Sequence, residues 1–132
     1  MVMVESLNLH QYPFTPKRVT LESGHEISCV DEGQGKTIVF LHGNPSWSYL
    51  YRNLIISLQS TKRCIAPDHL GCGLSDKPQE YPYRLANHID NLEQVFSGKR
   101  RCRHLYPLVE FGPGSMIGAL VIVGVPPKFL LR

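Results

Sequence analysis

The sequence predicts an α/β fold in which two antiparallel strands lead into a parallel strand–helix–strand unit. Three observations carry this. Thr37-Ile38-Val39-Phe40-Leu41 is an unbroken apolar run rich in β-branched residues, as in a strand covered on both faces. An amphipathic helical repeat follows it, and then a second short apolar run, Cys64-Ile65-Ala66. Strand, helix and strand in that order form a crossover, which pairs the two strands in parallel.

The 132 residues, 42% apolar and 19% charged, suffice for one domain with a core. That composition excludes wholesale disorder. A net charge of +3 argues against a strongly basic nucleic-acid module.

Each element has its own signal. Tyr12-Pro13-Phe14-Thr15-Pro16 is an extended lead-in, because two prolines exclude a helix. Lys17 to Glu22 alternates Val19 and Leu21 with polar residues, as a half-buried strand does. Ser23-Gly24 turns the chain, and His25 to Val30 forms a second strand of a hairpin or meander. The first buried strand ends at His42-Gly43-Asn44-Pro45, after which Ser46 is expected to cap a helix. Trp47, Leu50, Tyr51, Leu54, Ile55 and Leu58 make one wide apolar stripe on that helix. Pro67-Asp68 ends the second buried strand and opens a glycine-rich loop to Pro78. Tyr83 to Phe96 is a second amphipathic helix, with Leu85, Ile89, Leu92 and Phe96 on its stripe.

Beyond Ser97 the character changes. Residues 1–97 carry 8 Lys or Arg against 10 Asp or Glu, whereas residues 98–132 carry 6 against 1. The chain therefore divides into a domain at 1–97 and a divergent tail at 98–132, in which Leu120 to Val123 is the one candidate buried strand. The basic cluster Lys99 to Arg103 reads as a solvated stretch.

Two segments can carry chemistry. At Leu41-His42-Gly43-Asn44-Pro45 a glycine permits a tight turn, free backbone N–H groups can face an anion, and Asn44 adds an amide donor. The same residues also suit a plain strand-to-helix turn, and the residues alone favour that plainer reading. The second segment, Asp68 to Pro78, leaves the carboxyl edge of the second buried strand, where sites form in parallel sheets. Asp68 can hold loop N–H groups there, with Asp68 and Ser75 as turn caps. Gly71-Cys72-Gly73 lacks the pattern of a phosphate loop.

His88 is expected on a helix surface, and His69 and His104 have no sequence-visible partner. Cys102 and His104 lack the further ligands of a zinc site, so no metal or cofactor is expected. The four cysteines form no C-x-x-C pair and read as free thiols, with a Cys64–Cys72 disulfide as the less favoured alternative. The start has no basic region of a secretory signal, and the longest apolar run, Met116 to Val125, is too short to span a bilayer. A cytoplasmic protein without membrane contact is expected.

His42 to Ile55 (HGNPSWSYLYRNLI), Arg63 to Pro78 (RCIAPDHLGCGLSDKP) and the helix from Tyr81 to Phe96 together resemble the N-terminal half of α/β-hydrolases of the haloalkane dehalogenase-like group. The GCGLSDKP form also looks like the branch that cleaves β-lactones in olefin biosynthesis. The resemblance implies the N-terminal part of an α/β-hydrolase sheet, incomplete as it stands. It implies a small-molecule substrate and an Asp nucleophile that forms an ester intermediate, which a His base with an acidic partner resolves. Asn44 matches the family's leaving-group or oxyanion stabiliser, and His42-Gly43 shapes its loop.

No His-Asp-Trp-Gly-Gly elbow follows Phe96, so no nucleophile and no base are assigned. Glu110 lies at no elbow, and Gly114-Ser115-Met116-Ile117-Gly118 is out of register for a serine elbow. A shift of reading frame, a splice form or a fusion near residue 97 would account for the tail. Met116-Ile117, shifted by one base, contains an Asp codon. The expectation is a truncated hydrolase, inactive by itself. The alternative is a non-catalytic binding protein whose exposed sheet edge pairs with a partner chain or with itself.

Overall fold

The computed structural model describes residues 11–97 and a strand at residues 119–122. Strands β1 (Lys17–Thr20), β2 (Glu26–Glu32), β3 (Lys36–Leu41), β4 (Lys62–Pro67) and β5 (Ala119–Ile122) form one sheet in the order β1-β2-β4-β3-β5. Helix α1 spans Arg52–Leu58 and follows a single 3-10 turn at Ser48–Tyr51; α2 spans Leu85–Ser97.

The expected crossover is present. β3 and β4 pair in parallel, with Ile38 opposite Cys64 and Val39 opposite Ile65. The lead-in hairpin is also present, with Val19 of β1 opposite Ile27 of β2. The sheet as a whole is mixed, because β2 runs antiparallel to β4 and β5 antiparallel to β3. β5 falls one residue earlier than the expected Leu120 to Val123. The burial expected of that strand, and the features expected at Lys99 to Arg103, Cys102, His104, Glu110 and Ser115, lie outside the described residues.

The unbroken apolar run of β3 is explained by its two covered faces. Ile38 and Phe40 join Tyr12, Phe14, Val30, Tyr51, Ile55, Cys64 and Ala66 on one side. Val39 and Leu41 join Ile27, Cys29, Ile65, Leu70 and the α2 residues Leu92, Val95 and Phe96 on the other. The period-two alternation of a strand divides one sequence run between two cores.

Two local expectations fail. Ser46 does not cap the first helix; the backbone N–H of Ser48 is taken instead by Asp68 Oδ1 at 2.7 Å. Of the wide stripe, Tyr51 and Ile55 are buried with Trp47 and Leu58 packed partly against the same core, while Leu50 and Leu54 are 57% and 47% exposed. The 3-10 turn has three residues per turn, so it shifts the helical phase before α1 begins. The thiols of Cys29, Cys64 and Cys72 are free, so the Cys64–Cys72 alternative is set aside. Among the described residues no helix is long and apolar enough to cross a membrane.

Candidate functional site

Both candidate segments leave the carboxyl ends of adjacent parallel strands, and therefore meet. Leu41, His42, Gly43 and Asn44 from the end of β3 line a cavity of about 580 Å³. His69 to Cys72 after β4, Lys77 to Gln79, and Tyr83, Leu85, His88, Ile89 and Leu92 at the start of α2 close it. The wall mixes an apolar patch from α2 with an amide, an ammonium and imidazoles. That composition suits a small, largely apolar molecule with one polar end.

Asp68 builds the second loop. Its side chain is fully buried and accepts the N–H of Ser48 at 2.7 Å and of Leu74 at 3.0 Å. The Ser75 hydroxyl donates to the Asp68 carbonyl at 2.6 Å and accepts the N–H of Ser28 in β2 at 2.8 Å. The two residues act as the sequence suggested, and they also clip the loop to the hairpin. Gly73 has φ +51° and lies against Asp68 Oδ2 and Trp47, leaving no room for a side chain. The Lys77 ammonium donates to the carbonyls of Gly73 at 2.6 Å and Ser75 at 3.1 Å, which steadies the loop's far end.

The first loop carries the three residues singled out from the sequence. His42 is buried; its Nδ1 donates to the Gly43 carbonyl at 2.7 Å, and its Nε2 accepts the N–H of His69 at 2.9 Å. His42 thus ties the two loops together. Asn44 is exposed at the cavity wall, with a cis peptide to Pro45.

Sequence reasoning missed two residues. His69 packs on His42 with ring centroids 4.5 Å apart, and His88 packs on His69 at 5.0 Å. His88 is therefore a wall residue rather than a surface histidine, and His69 has partners on both sides. A signal existed: Leu85, His88, Ile89 and Leu92 follow the spacing of one helix face. Burial pushes His69 down to about 3, helped by the adjoining His42 and His88 rings. Burial also lowers His42, and burial with the nearby His42 lowers His88. All three imidazoles are neutral at neutral pH. Among the described residues no cluster of His, Cys, Asp or Glu has the arrangement of a metal site.

Comparison with known proteins agrees with this geometry. Residues 36–103 match the family model of the alpha/beta hydrolase fold. The chain is 47% identical over 98 residues to a cis-3-alkyl-4-alkyloxetan-2-one decarboxylase of Shewanella oneidensis, covering 73% of this chain and 30% of that protein. It is 46% identical over 77 residues to haloalkane dehalogenase 2 of Mycobacterium tuberculosis, covering 58% of this chain and 27% of that one. Among solved structures, a tetrameric haloalkane dehalogenase from Paraglaciecola agarilytica superposes with TM-score 0.61 at 33% identity, over 68% of this chain and 35% of the other. A haloalkane dehalogenase mutant from Agrobacterium tumefaciens gives 0.59 at 37% identity, over 64% and 28%. The chain spans about a third of the length of the curated relatives it matches.

Proposed function

Because the chain belongs to the α/β-hydrolase fold family, in its haloalkane dehalogenase-like group, we propose that it forms the leaving-group side of a hydrolase site. One observation supports this above the others: Asn44 and Gly43 stand at the end of β3 in the same cavity as the loop after β4. The Asn44 amide and nearby backbone N–H groups would stabilise the negative charge that develops as a carbon–halogen or lactone carbon–oxygen bond breaks. His42 holds Gly43 and His69 in place, so the donors are set before the ligand arrives. The apolar residues of α2 would take the alkyl part of the substrate. The attacking carboxylate and the base of the family have no match among these 132 residues. The chain by itself therefore binds the departing group without turnover, since donors without an attacking group do little.

Bromide titration monitored by amide NMR tests the assignment. The expected result is a saturable shift at Gly43 and Asn44 that Asn44→Ala removes. Undisturbed amides at both positions would overturn it. Turnover of an alkyl halide or a β-lactone by the chain would overturn the statement on inactivity.

The exposed Leu50, Leu54 and Ile56 support a second reading, in which a partner chain completes the half-built fold. Sedimentation at increasing concentration tests the homotypic version. A monomer throughout counts against it.

A further inference from the structure

Among the described residues, Lys77 is the one formal charge on the cavity wall. The imidazoles beside it are neutral, and no carboxylate lines the cavity. An ammonium has three N–H donors and no acceptor. Two of them serve the carbonyls of Gly73 and Ser75, so one is left. No carboxylate lies within ion-pair distance of it among the described residues. The acids of its own loop are engaged elsewhere, Asp68 by the N–H groups of Ser48 and Leu74, and Asp76 by Arg18 and the N–H of Glu26. Burial and Asp68 push the Cys72 thiol up, and the Lys77 charge works against them. Cys72 is a wall residue, so the ammonium stands within electrostatic reach of the cavity.

The apolar part of the wall has a direction. Leu85, Ile89 and Leu92 follow one helix face along about 10 Å of α2. They run from Leu85, 56% exposed, to Leu92, 8% exposed. Lys77 is exposed as well, and the carbonyl of its neighbour Pro78 accepts from the Tyr83 hydroxyl, close to Leu85 in the chain. The charge therefore stands at the open end of the wall and the buried leucine at the closed end. A cation with a free N–H at the mouth of an apolar cavity recognises an anion that carries an apolar tail.

We propose that the cavity binds a medium-chain alkyl carboxylate, with its carboxylate on the Lys77 ammonium at the mouth and its chain along Leu85, Ile89 and Leu92. One charge and one free N–H suit a monoanion. An alcohol of the same length gains the chain contacts alone, and an alkylammonium is repelled. The α2 wall is shared with the reading above, but the anion contact comes from Lys77 rather than Asn44, so the two stand independently.

Titration of the full chain with sodium hexanoate at neutral pH, followed by amide NMR, tests the proposal. Hexanoate should shift Gly71, Cys72, Ile89 and Leu92 saturably. It should bind about fivefold tighter than n-hexanol, the worth of one partly exposed ion pair. Lys77→Gln keeps an N–H donor for the loop carbonyls and removes the charge. It should lower hexanoate to the level of hexanol and leave hexanol unchanged, whereas Lys77→Arg should keep the preference. No saturable shift with hexanoate overturns the proposal, and so does equal binding of acid and alcohol. A Lys77→Gln chain that loses both ligands alike also overturns it, because a lysine that only steadies the loop would give that result. Where Lys77→Gln fails to fold, n-hexylammonium decides, and binding as tight as that of hexanoate overturns the proposal. The bromide titration reads Gly43 and Asn44 instead, so either result can fail without the other.

Discussion

Asp68 has no exposed surface, and its carboxylate satisfies one N–H from the 3-10 turn before α1 and one from its own loop. Asp68→Ala leaves both donors buried without a partner. At about 1–3 kcal/mol for each orphaned group, a loss of about 2–6 kcal/mol in urea unfolding is expected. Gly73→Ala forces a side chain into the left-handed region and onto the Asp68 carboxylate. It should cost more than about 1 kcal/mol and displace the cavity-lining loop, which chemical shifts of Gly71 and Cys72 would report. The sequence allowed Asp68 to organise its own loop, since an Asp that ends a strand often does so. Its second role, as acceptor for Ser48 twenty residues earlier, depends on β3 and β4 being neighbours and has no local signature.

At the scale of the element, α1 separates periodicity from burial. Its sequence offers Leu54 and Ile55 as equal members of one stripe, yet Ile55 has no exposed surface and Leu54 is 47% exposed. Ile55→Ala should therefore cost about 2–5 kcal/mol in thermal or urea unfolding, and Leu54→Ala under about 0.5 kcal/mol. Equal losses would mean that Leu54 is covered in solution, as the partner-chain reading requires. Helix α2 gives the opposite lesson. His88 shares a face with Leu85, Ile89 and Leu92, and the spacing that makes a core stripe brings a histidine to the cavity wall. Sequence periodicity finds the face, whereas the polar residue on it is interpreted only when the loop after β4 is seen beside it.

For the whole molecule, protonation sets the acid limit of stability. His69, His42 and His88 are all lowered in the folded state, His69 to about 3, so the unfolded chain binds more protons below its ordinary histidine range. Stability is complete above about pH 6.5 and falls as the pH drops toward 3, by up to about 1.4 kcal/mol per pH unit for His69 alone. Asp31 acts at the lower end. Burial raises it, but hydrogen bonds from Arg63 and Lys17 outweigh burial and hold it below the ordinary carboxylate value. Its contribution is present above the unfolded value and is lost as the pH falls through the folded one. Urea midpoints measured down the pH scale should decline below neutrality, and His69→Phe should flatten that decline. An unchanged slope would mean that His69 is not buried as a neutral group.

The lead-in hairpin, the parallel crossover, the two candidate loops and the resemblance of residues 12–96 to the haloalkane dehalogenase-like group can all be read from the residues alone. These are legible because alternation, helical spacing and strand-ending glycines and prolines are local patterns, and motif order survives without coordinates. The folded structure alone reveals that β4 lies between β2 and β3, that Asp68 rather than Ser46 serves the first helix, and that the rings of His42, His69 and His88 pack edge to face. Each of these joins residues from separate elements. Their energies come from strand neighbours and from buried polar groups finding partners across the sheet edge, which no stretch of sequence read alone contains.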